Sequence, residues 1–346
     1  MNILIVTDAW SPQVNGVVRT LQSVRSELEK MGHVVAVISP DQFRSVPCPT
    51  YPEIRLALTL QVGKRIKAAA PDAIHIATEG PLGLAARRYC VRRKLPFTTA
   101  YHTQFPDYVS KRTKLPARWF WRYIRWFHRA AKAVMVSTPT VERQLHDNGI
   151  AHTRHWGRGV DLACFTVAGP RHPAFEALTR PIQLYVGRVA IEKNIEAFLQ
   201  SRHPGTKVVV GEGPGLDGLK TRFPDIRFLG KLLGAELASA YRSADVFVFP
   251  SRTDTFGLVL IEALATGTPV AAYPVQGPVD VLTEEVGAMN ENLEQATADA
   301  LTRDRAACAE YASHFGWNVS ARQFLEGLVP IRRSAAPSEK PLLEKA

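Results

Sequence analysis

Residues 250–272, PSRTDTFGLVLIEALATGTPVAA, decide the fold of this chain. They follow the apolar run Asp245-Val-Phe-Val-Phe, which reads as a buried strand. Pro250, Ser251 and Thr253 break that pattern, and apolar residues return at Phe256, Leu260 and Leu264 with helical spacing. Gly267 and Pro269 end the helix before a second apolar run at Val270. The order is strand, loop, helix, strand, with Asp254 in the loop and Glu262 on the helix. A helix start carries unpaired N–H groups and about half a positive charge, which suits an anion such as pyrophosphate. Here those groups belong to Phe256, Gly257 and Leu258; Gly257 lets the backbone come close, and Glu262 is a candidate acceptor for sugar hydroxyls. An ordinary βα unit with one exposed glutamate fits this stretch equally well on its own.

The same alternation extends in both directions. Upstream, residues 3–7, 34–38, 73–77, 96–100 and 133–137 read as strands, with helices at 17–31, 82–93 and 139–148. Residues 161–181 hold Pro170, Pro173 and Pro181 and read as a linker. A second α/β run then starts at Ile182, with strands at 207–210 and 226–229. Strand–helix alternation of this kind gives parallel sheets covered on both faces. The 346 residues exceed the ~250–300 at which single cores stop growing, so two domains are expected. The division is an N-terminal Rossmann-like domain over 1–165, a second over 182–314, a closing helix over 315–329, and a disordered tail over 330–346. The fold class is α/β, with two Rossmann-like domains facing across a cleft.

Composition narrows the function. Four scattered cysteines without a CxxC pair fit neither a zinc site nor a disulfide framework and suit a reducing compartment. The chain opens on a strand and has no run near the ~18 apolar residues of a membrane span, so a cytoplasmic or peripheral membrane location is expected. Residues 1–160 carry 24 Lys+Arg against 10 Asp+Glu, and the remainder 19 against 22. The basic surface therefore belongs to the first domain, and its partner is anionic. Much of that charge lies between Tyr108 and Val141, which contains no acid but has Lys111, Arg112, Lys114, Arg118, Arg122, Arg125, Arg129 and Lys132. At ~100° per residue, Arg118, Arg122, Arg125, Arg129 and Lys132 share one stripe. Trp119 and Trp126 flank it on one side and Trp121 on the other, the pattern of a helix lying on an anionic membrane. A solvated cationic face and a phosphate-backbone site are the alternatives. No recognised nucleic-acid module accompanies the stripe, so nucleic acid is not an expected partner.

Chemistry-bearing residues cluster at strand ends, where an open α/β sheet binds ligands. His102 follows the strand ending at Ala100, and serves as a hydrogen-bonding or proton-shuttling group or as a structural histidine. Arg188 and Lys193 follow the first strand of the second domain; a guanidinium fork and an ammonium suit a diphosphate. Asn15-Gly16 opens the first helix as a further phosphate cradle or as a simple cap. The connecting loop lacks GxGxxG, which weakens a dinucleotide reading. No DxD pair or histidine cluster is present to hold a metal, so neither a metal nor a cofactor is expected.

In TDAWSPQVNGVVRTL, YHTQFPDY, GRGVD, VGRVAIEKN and the 250–272 stretch, the chain resembles the retaining nucleotide-sugar glycosyltransferases of the GT-B fold. That group includes bacterial mannosyltransferases and plant sulfoquinovosyl diacylglycerol synthase, and the resemblance covers nearly the whole chain. It implies that Asp254 and Glu262 are the two acids of an E-x7-E element, the first on the transferred sugar and the second on the ribose. It implies Arg188 and Lys193 on the donor diphosphate, Gly16 over the same group, His102 beside the sugar, and the helix over 315–329 as a cross-over back onto the first domain. Two positions depart from the pattern: Asp254 is one methylene shorter than the usual glutamate, and Asn15 stands where many relatives have glycine. The expected activity is metal-independent transfer of a hexosyl group, with retention, from UDP-glucose, UDP-glucuronate, UDP-galactose or GDP-mannose. The expected acceptor is a membrane lipid such as diacylglycerol, with a soluble or polyprenyl-linked glycan as the alternative. A nucleic-acid-binding α/β protein is the reading of another class.

Overall fold

The computed structural model describes residues 1–13, 15–48, 51–57, 59–102 and 116–331. Lys111, Arg112 and Lys114 of the basic segment, the loop residue Val14 and the tail from 332 lie outside them. Two six-stranded parallel sheets form the framework. The first is built from β1 (Asn2–Val6), β2 (Val34–Ile38), β5 (Ala73–Ile76), β6 (Thr98–Ala100), β7 (Ala133–Val136) and β8 (Thr153–His155), in the order β2-β1-β5-β6-β7-β8. Between β2 and β5 the chain makes an antiparallel hairpin of β3 (Ser45–Cys48) and β4 (Tyr51–Ala57). The second sheet uses β9 (Ile182–Val186), β10 (Thr206–Val210), β11 (Arg227–Gly230), β12 (Val246–Phe249), β13 (Val270–Ala272) and β14 (Gly287–Met289), ordered β11-β10-β9-β12-β13-β14. The order in which the chain adds strands reverses between β1 and β5 and between β9 and β12, the positions where an open parallel sheet forms its crevice at the strand carboxyl ends.

The strands are nearly continuous runs of Val, Ile and Leu because both sheet faces are buried. On one face of the first sheet, Ile3, Ile5 and Leu21 pack with Trp156, Ala321 and Phe324. The last two come from the helix Trp317–Gly327, so the C-terminal part of the chain completes the first domain's core. Trp156 and Phe324 rings lie 4.8 Å apart, and Trp156 Nε1 donates to Ser320 Oγ at 3.1 Å. Pro330 and Ile331, expected to open a disordered tail, are instead held in place: Pro330 bridges Ala73, and Ile331 N donates to Asp72 O at 2.7 Å. The linker also differs from expectation. Phe165 and Phe175 are buried in the second domain's core, because two aromatics at loop positions suffice to anchor a segment without periodicity.

At the carboxyl end of β1, Asp8 is buried and accepts from Leu82 N at 2.8 Å, Gly83 N at 3.3 Å and Thr78 Oγ1 at 2.8 Å. It caps the helix Pro81–Arg93, which begins without a side-chain cap of its own. Burial pushes its carboxyl above the usual range, and these three hydrogen bonds pull the other way.

Polar contacts among the described residues join the domains across the cleft. Thr255 Oγ1 donates to His102 O at 2.8 Å, and Thr140 N donates to Asp280 Oδ1 at 3.0 Å. Another is the ion pair of Arg19, one turn into the first helix (Gly16–Lys30), with Glu262. Glu262 is 2% exposed, whereas Arg19 is 42% exposed. Burial raises the Glu262 carboxyl above its usual range, and Arg19 pulls it down less strongly. For Arg19, burial works against the charge, but the attraction and hydrogen bond of Glu262 outweigh it and the guanidinium is held above its ordinary value.

Arg19→Met should therefore destabilise the protein in a pH-dependent way. Breaking a buried pair costs about 3–5 kcal/mol, and the partial exposure of Arg19 reduces this to roughly 2–3 kcal/mol at neutral pH. Unpaired, Glu262 has a folded pKa further above its unfolded one. Its contribution is then present below the unfolded pKa and lost as pH rises through the folded value. The deficit relative to wild type should shrink as pH falls from neutral toward the ordinary carboxylate range in denaturant unfolding; a deficit independent of pH would contradict this account.

Candidate active site

The second sheet places its ligand-facing loops on either side of its reversal point. After β9 the chain runs through Gly187, exposed Arg188 and the short turn Ile191–Lys193. After β12 it runs through Pro250 to Gly257, and the helix begins at Leu258. Gly257 has φ +82°, a left-handed backbone that favours glycine, and it ends the loop so that the helix can start. The third loop, after β10, comes so close that a Cβ at Gly211 would sit 1.9 Å from Gly187 O. Glycine is required there by contact.

Side chains tie these loops together. Asn194 Nδ2 donates to Pro250 O at 3.1 Å, and Lys193 Nζ lies 2.6 Å from Asp254 Oδ1. Lys193 and Asp254, expected on diphosphate and sugar respectively, thus meet each other. Asp254 Oδ2 is buried and has no hydrogen-bond partner among the described residues. An acceptor oxygen in that state is available to a ligand hydroxyl. Phe256 is buried, packing edge-on against Phe315 at 6.4 Å, so only its backbone is available to a ligand.

From the facing domain, Gly16 comes to the cleft opposite Leu258: a Cβ on Gly16 would lie 3.7 Å from Leu258 Cδ1. The helix start behind Gly16 is already partly capped, because Asn15 Oδ1 accepts from Val17 N and Val18 N, each at 3.0 Å. The asparagine that departs from the family pattern therefore occupies two of the N–H groups expected to cradle phosphate. His102 sits at the end of β6 and faces the second domain through its carbonyl contact with Thr255. Burial and the nearby Arg158 hold its imidazole well below the usual value, which makes it a poor proton shuttle near neutral pH.

Glu262 lies in the second turn of its helix, buried rather than exposed. Its Oε1 takes Arg19 and its Oε2 accepts from Tyr241 OH at 3.2 Å. Neither Arg19 nor Tyr241 stood out in the sequence, although Arg19 lies within the NGVVRTL run. Arg158 was likewise overlooked inside GRGVD; a single arginine between two glycines gives no sign that the backbone buries it.

The basic helix forms over Ala117–His128. Arg118, Arg122, Arg125, Arg129 and Lys132 are exposed, as are Trp119 at 54% and Trp126 at 51%. Arg87 stacks on the Trp126 ring at 3.9 Å and Arg122 on Trp119 at 5.5 Å. Trp121 departs from expectation. It is 8% exposed and stacks on Tyr101 at 6.0 Å, because its angular position also meets the sheet's covering layer. It belongs to the core and not to a lipid-facing set. Beside the helix, a groove of about 560 Å³ is lined by Arg118, Trp119, Arg122 and Arg125, with Trp121 at its floor.

Comparison with known proteins agrees with this architecture. Residues 14–163 match the family described as Glycosyltransferase Family 4, and residues 180–303 that described as Glycosyl transferases group 1. The GDP-mannose-dependent alpha-mannosyltransferase of Mycobacterium tuberculosis (strain CDC 1551 / Oshkosh) is 30% identical, over 96% of this chain and 97% of its own length. The sulfoquinovosyl transferase SQD2 of Arabidopsis thaliana is 32% identical over 79% of this chain, which spans 59% of that relative. An alpha-monoglucosyldiacylglycerol synthase of Streptococcus pneumoniae is 28% identical over 79% of this chain and 71% of its own. Among solved structures, sucrose-phosphate synthase from Thermosynechococcus elongatus superposes with a TM-score of 0.73 at 21% identity, covering 94% of this chain and 97% of that one. HepE of Anabaena in complex with UDP gives 0.69 at 17% identity, covering 94% and 99%. With two facing Rossmann-like domains, family matches in both halves and a relative aligned along its whole length, this chain belongs to the GT-B glycosyltransferases.

Proposed function

We propose that the protein is a retaining, metal-independent hexosyltransferase that glycosylates a membrane lipid such as diacylglycerol, using UDP-glucose, UDP-glucuronate, UDP-galactose or GDP-mannose. The carrying observation is the pairing of two features on one molecule. The loops after β9 and β12 converge with His102 at a cleft, and an exposed arginine–tryptophan helix lies on the domain expected to hold the acceptor. Relatives named for lipid glycosylation and for GDP-mannose use support the two halves of the reading.

In this mechanism Arg188 and Lys193 take the donor diphosphate, with backbone N–H groups at Gly16 and at Phe256 to Leu258. Glu262, whose Oε1 holds Arg19 and whose Oε2 holds Tyr241 in the free protein, accepts from the ribose by giving up the Arg19 contact as the donor enters, and Asp254 accepts from a hydroxyl of the transferred sugar. The bond between the anomeric carbon and the diphosphate oxygen breaks, and the leaving electron pair stays on the phosphate, where the cationic groups stabilise it. The acceptor hydroxyl attacks the oxocarbenium-like carbon on the same face, and its proton passes to the departing phosphate. Lys193, neutralised by Asp254 in the free protein, exchanges part of that contact for phosphate as the donor enters.

The basic helix holds the protein on the cytoplasmic face of the membrane. Each arginine near an anionic surface contributes about 1 kcal/mol, so several give reversible attachment. Trp119 and Trp126 add apolar contact at headgroup depth.

Incubation with diacylglycerol and a panel of UDP- and GDP-sugars, read by lipid mass spectrometry, should yield a glycosylated lipid with one nucleotide class. Product only on a soluble or polyprenyl-linked acceptor would move the acceptor assignment to the alternative. Glu262→Ala and Arg188→Ala should each reduce kcat/KM for the donor at least about tenfold, the equivalent of a lost charge-assisted hydrogen bond; near-wild-type turnover in both would overturn the site assignment. Co-sedimentation should recover the protein with anionic vesicles and lose it with neutral ones, and Arg122→Glu with Arg125→Glu should abolish the difference. Equal recovery with both vesicle types would remove the membrane role from the helix.

A further inference from the structure

The contact between Arg158 and His102 bears on which atom of the histidine carries its proton. Arg158, just past β8, is 7% exposed. Its Nη1 donates to Trp156 O at 2.8 Å and Gly157 O at 3.3 Å, and its Nη2 lies 3.0 Å from His102 Nδ1. A guanidinium has donors only, so Nδ1 must accept. An imidazole that accepts at Nδ1 carries its single proton on Nε2. A doubly protonated ring would set N–H against N–H at that distance, beside a cation. His102 Nε2 is shielded from solvent and has no partner among the described residues.

Among the described residues, no acid acts on His102 to reverse this. The described charged and titratable groups that act on His102 are Arg158, His75 and His128. Burial holds His75 down at about 3, with a smaller push from Arg158, so it stays neutral. His128 faces Glu79 on its other side, with Oε1 at 3.2 Å from Nε2. The Trp156 ring meets the imidazole edge-on at 5.5 Å and fixes its plane. Burial also draws the Arg158 guanidinium down to about 9, still protonated at neutral pH.

We propose that Arg158 is a positioning residue that locks His102 into the Nε2–H tautomer, so that His102 serves the reaction as a fixed hydrogen-bond donor to an oxygen of the bound donor sugar and not as an acid or base. This rests on the placement of His102 at the donor site. The consequence is chemical: the proton of the attacking hydroxyl goes to the departing phosphate oxygen, because His102 has no free lone pair to take it.

Long-range 1H–15N spectra of the histidine-labelled full chain test the lock without any substrate, with His102 assigned through His102→Gln. Wild type should show the Nε2–H form with no ionisation between about pH 5.5 and 8. Arg158→Lys, which keeps a donor, should retain it, while Arg158→Met should give mixed tautomers or a titration within that window. A wild-type Nδ1–H form, a wild-type ring titrating near its ordinary value, or an Arg158→Met spectrum identical to wild type would overturn the proposal. If Arg158→Met does not fold, the wild-type and Arg158→Lys spectra decide. With an active nucleotide sugar, His102→Gln, which places an amide N–H near Nε2, should keep at least about tenfold more kcat than His102→Leu; equal loss in both would mean proton transfer and sink the assignment. Absence of turnover with every nucleotide sugar would instead strike the donor reading, which the spectra do not depend on.

Discussion

A carboxylate withdrawn from water has to be compensated where it lies, and for Glu262 the compensating charge comes from another domain. The helix that carries it packs against the core of the second sheet, and Arg19 reaches it from the first helix of the facing domain. An uncompensated buried charge costs several kcal/mol, more than the neutral Thr255–His102 hydrogen bond at about 1 kcal/mol or the Thr140–Asp280 bond to a carboxylate at about 1.5–3 kcal/mol. The relative placement of the two halves therefore depends on this pair above the Thr255–His102 and Thr140–Asp280 contacts. Because Glu262 is also the acid proposed for the ribose, nucleoside recognition and the approach of the domains share one charge.

The rest of the cleft follows the same logic of opposed charges. Lys193 rests on Asp254, and that carboxylate keeps a second oxygen buried and without a partner among the described residues. Arg158 is buried with carbonyls and an imidazole around it. A diphosphate sugar brings both an anion and hydroxyl groups, and so can satisfy the lysine and the open carboxylate oxygen together. The helix Trp317–Gly327 supports this arrangement from behind, since Gln323 Oε1 accepts from Gly157 N at 2.8 Å next to Arg158. The chain's return to the first domain thus braces the loop that holds His102 in place.

Much of the fold was legible in the order of elements. The alternation of apolar strands with amphipathic helices specified two parallel sheets, and the strand-end positions of Arg188, Lys193, Asp254 and His102 pointed to the crevice. Short elements escaped because three residues such as Thr153–His155 or Gly287–Met289 carry no period. The tryptophans of the basic helix were read by angle alone, and angle does not say how far a neighbouring layer extends. Trp119 and Trp126 remain exposed, whereas Trp121 meets Tyr101.

The sequence by itself determined the sheet class, the two-domain division, the resemblance to nucleotide-sugar glycosyltransferases and the loops that carry the candidate site. These follow from local periodicity and short spacings, which adjacent residues encode. Only the tertiary structure decided which charges meet. Arg19 and Glu262 are 243 positions apart, and His102 and Arg158 are 56 apart. Which of them is buried, and hence which proton sits where, depends on how the two sheets and their covering helices exclude water, and no local pattern records that.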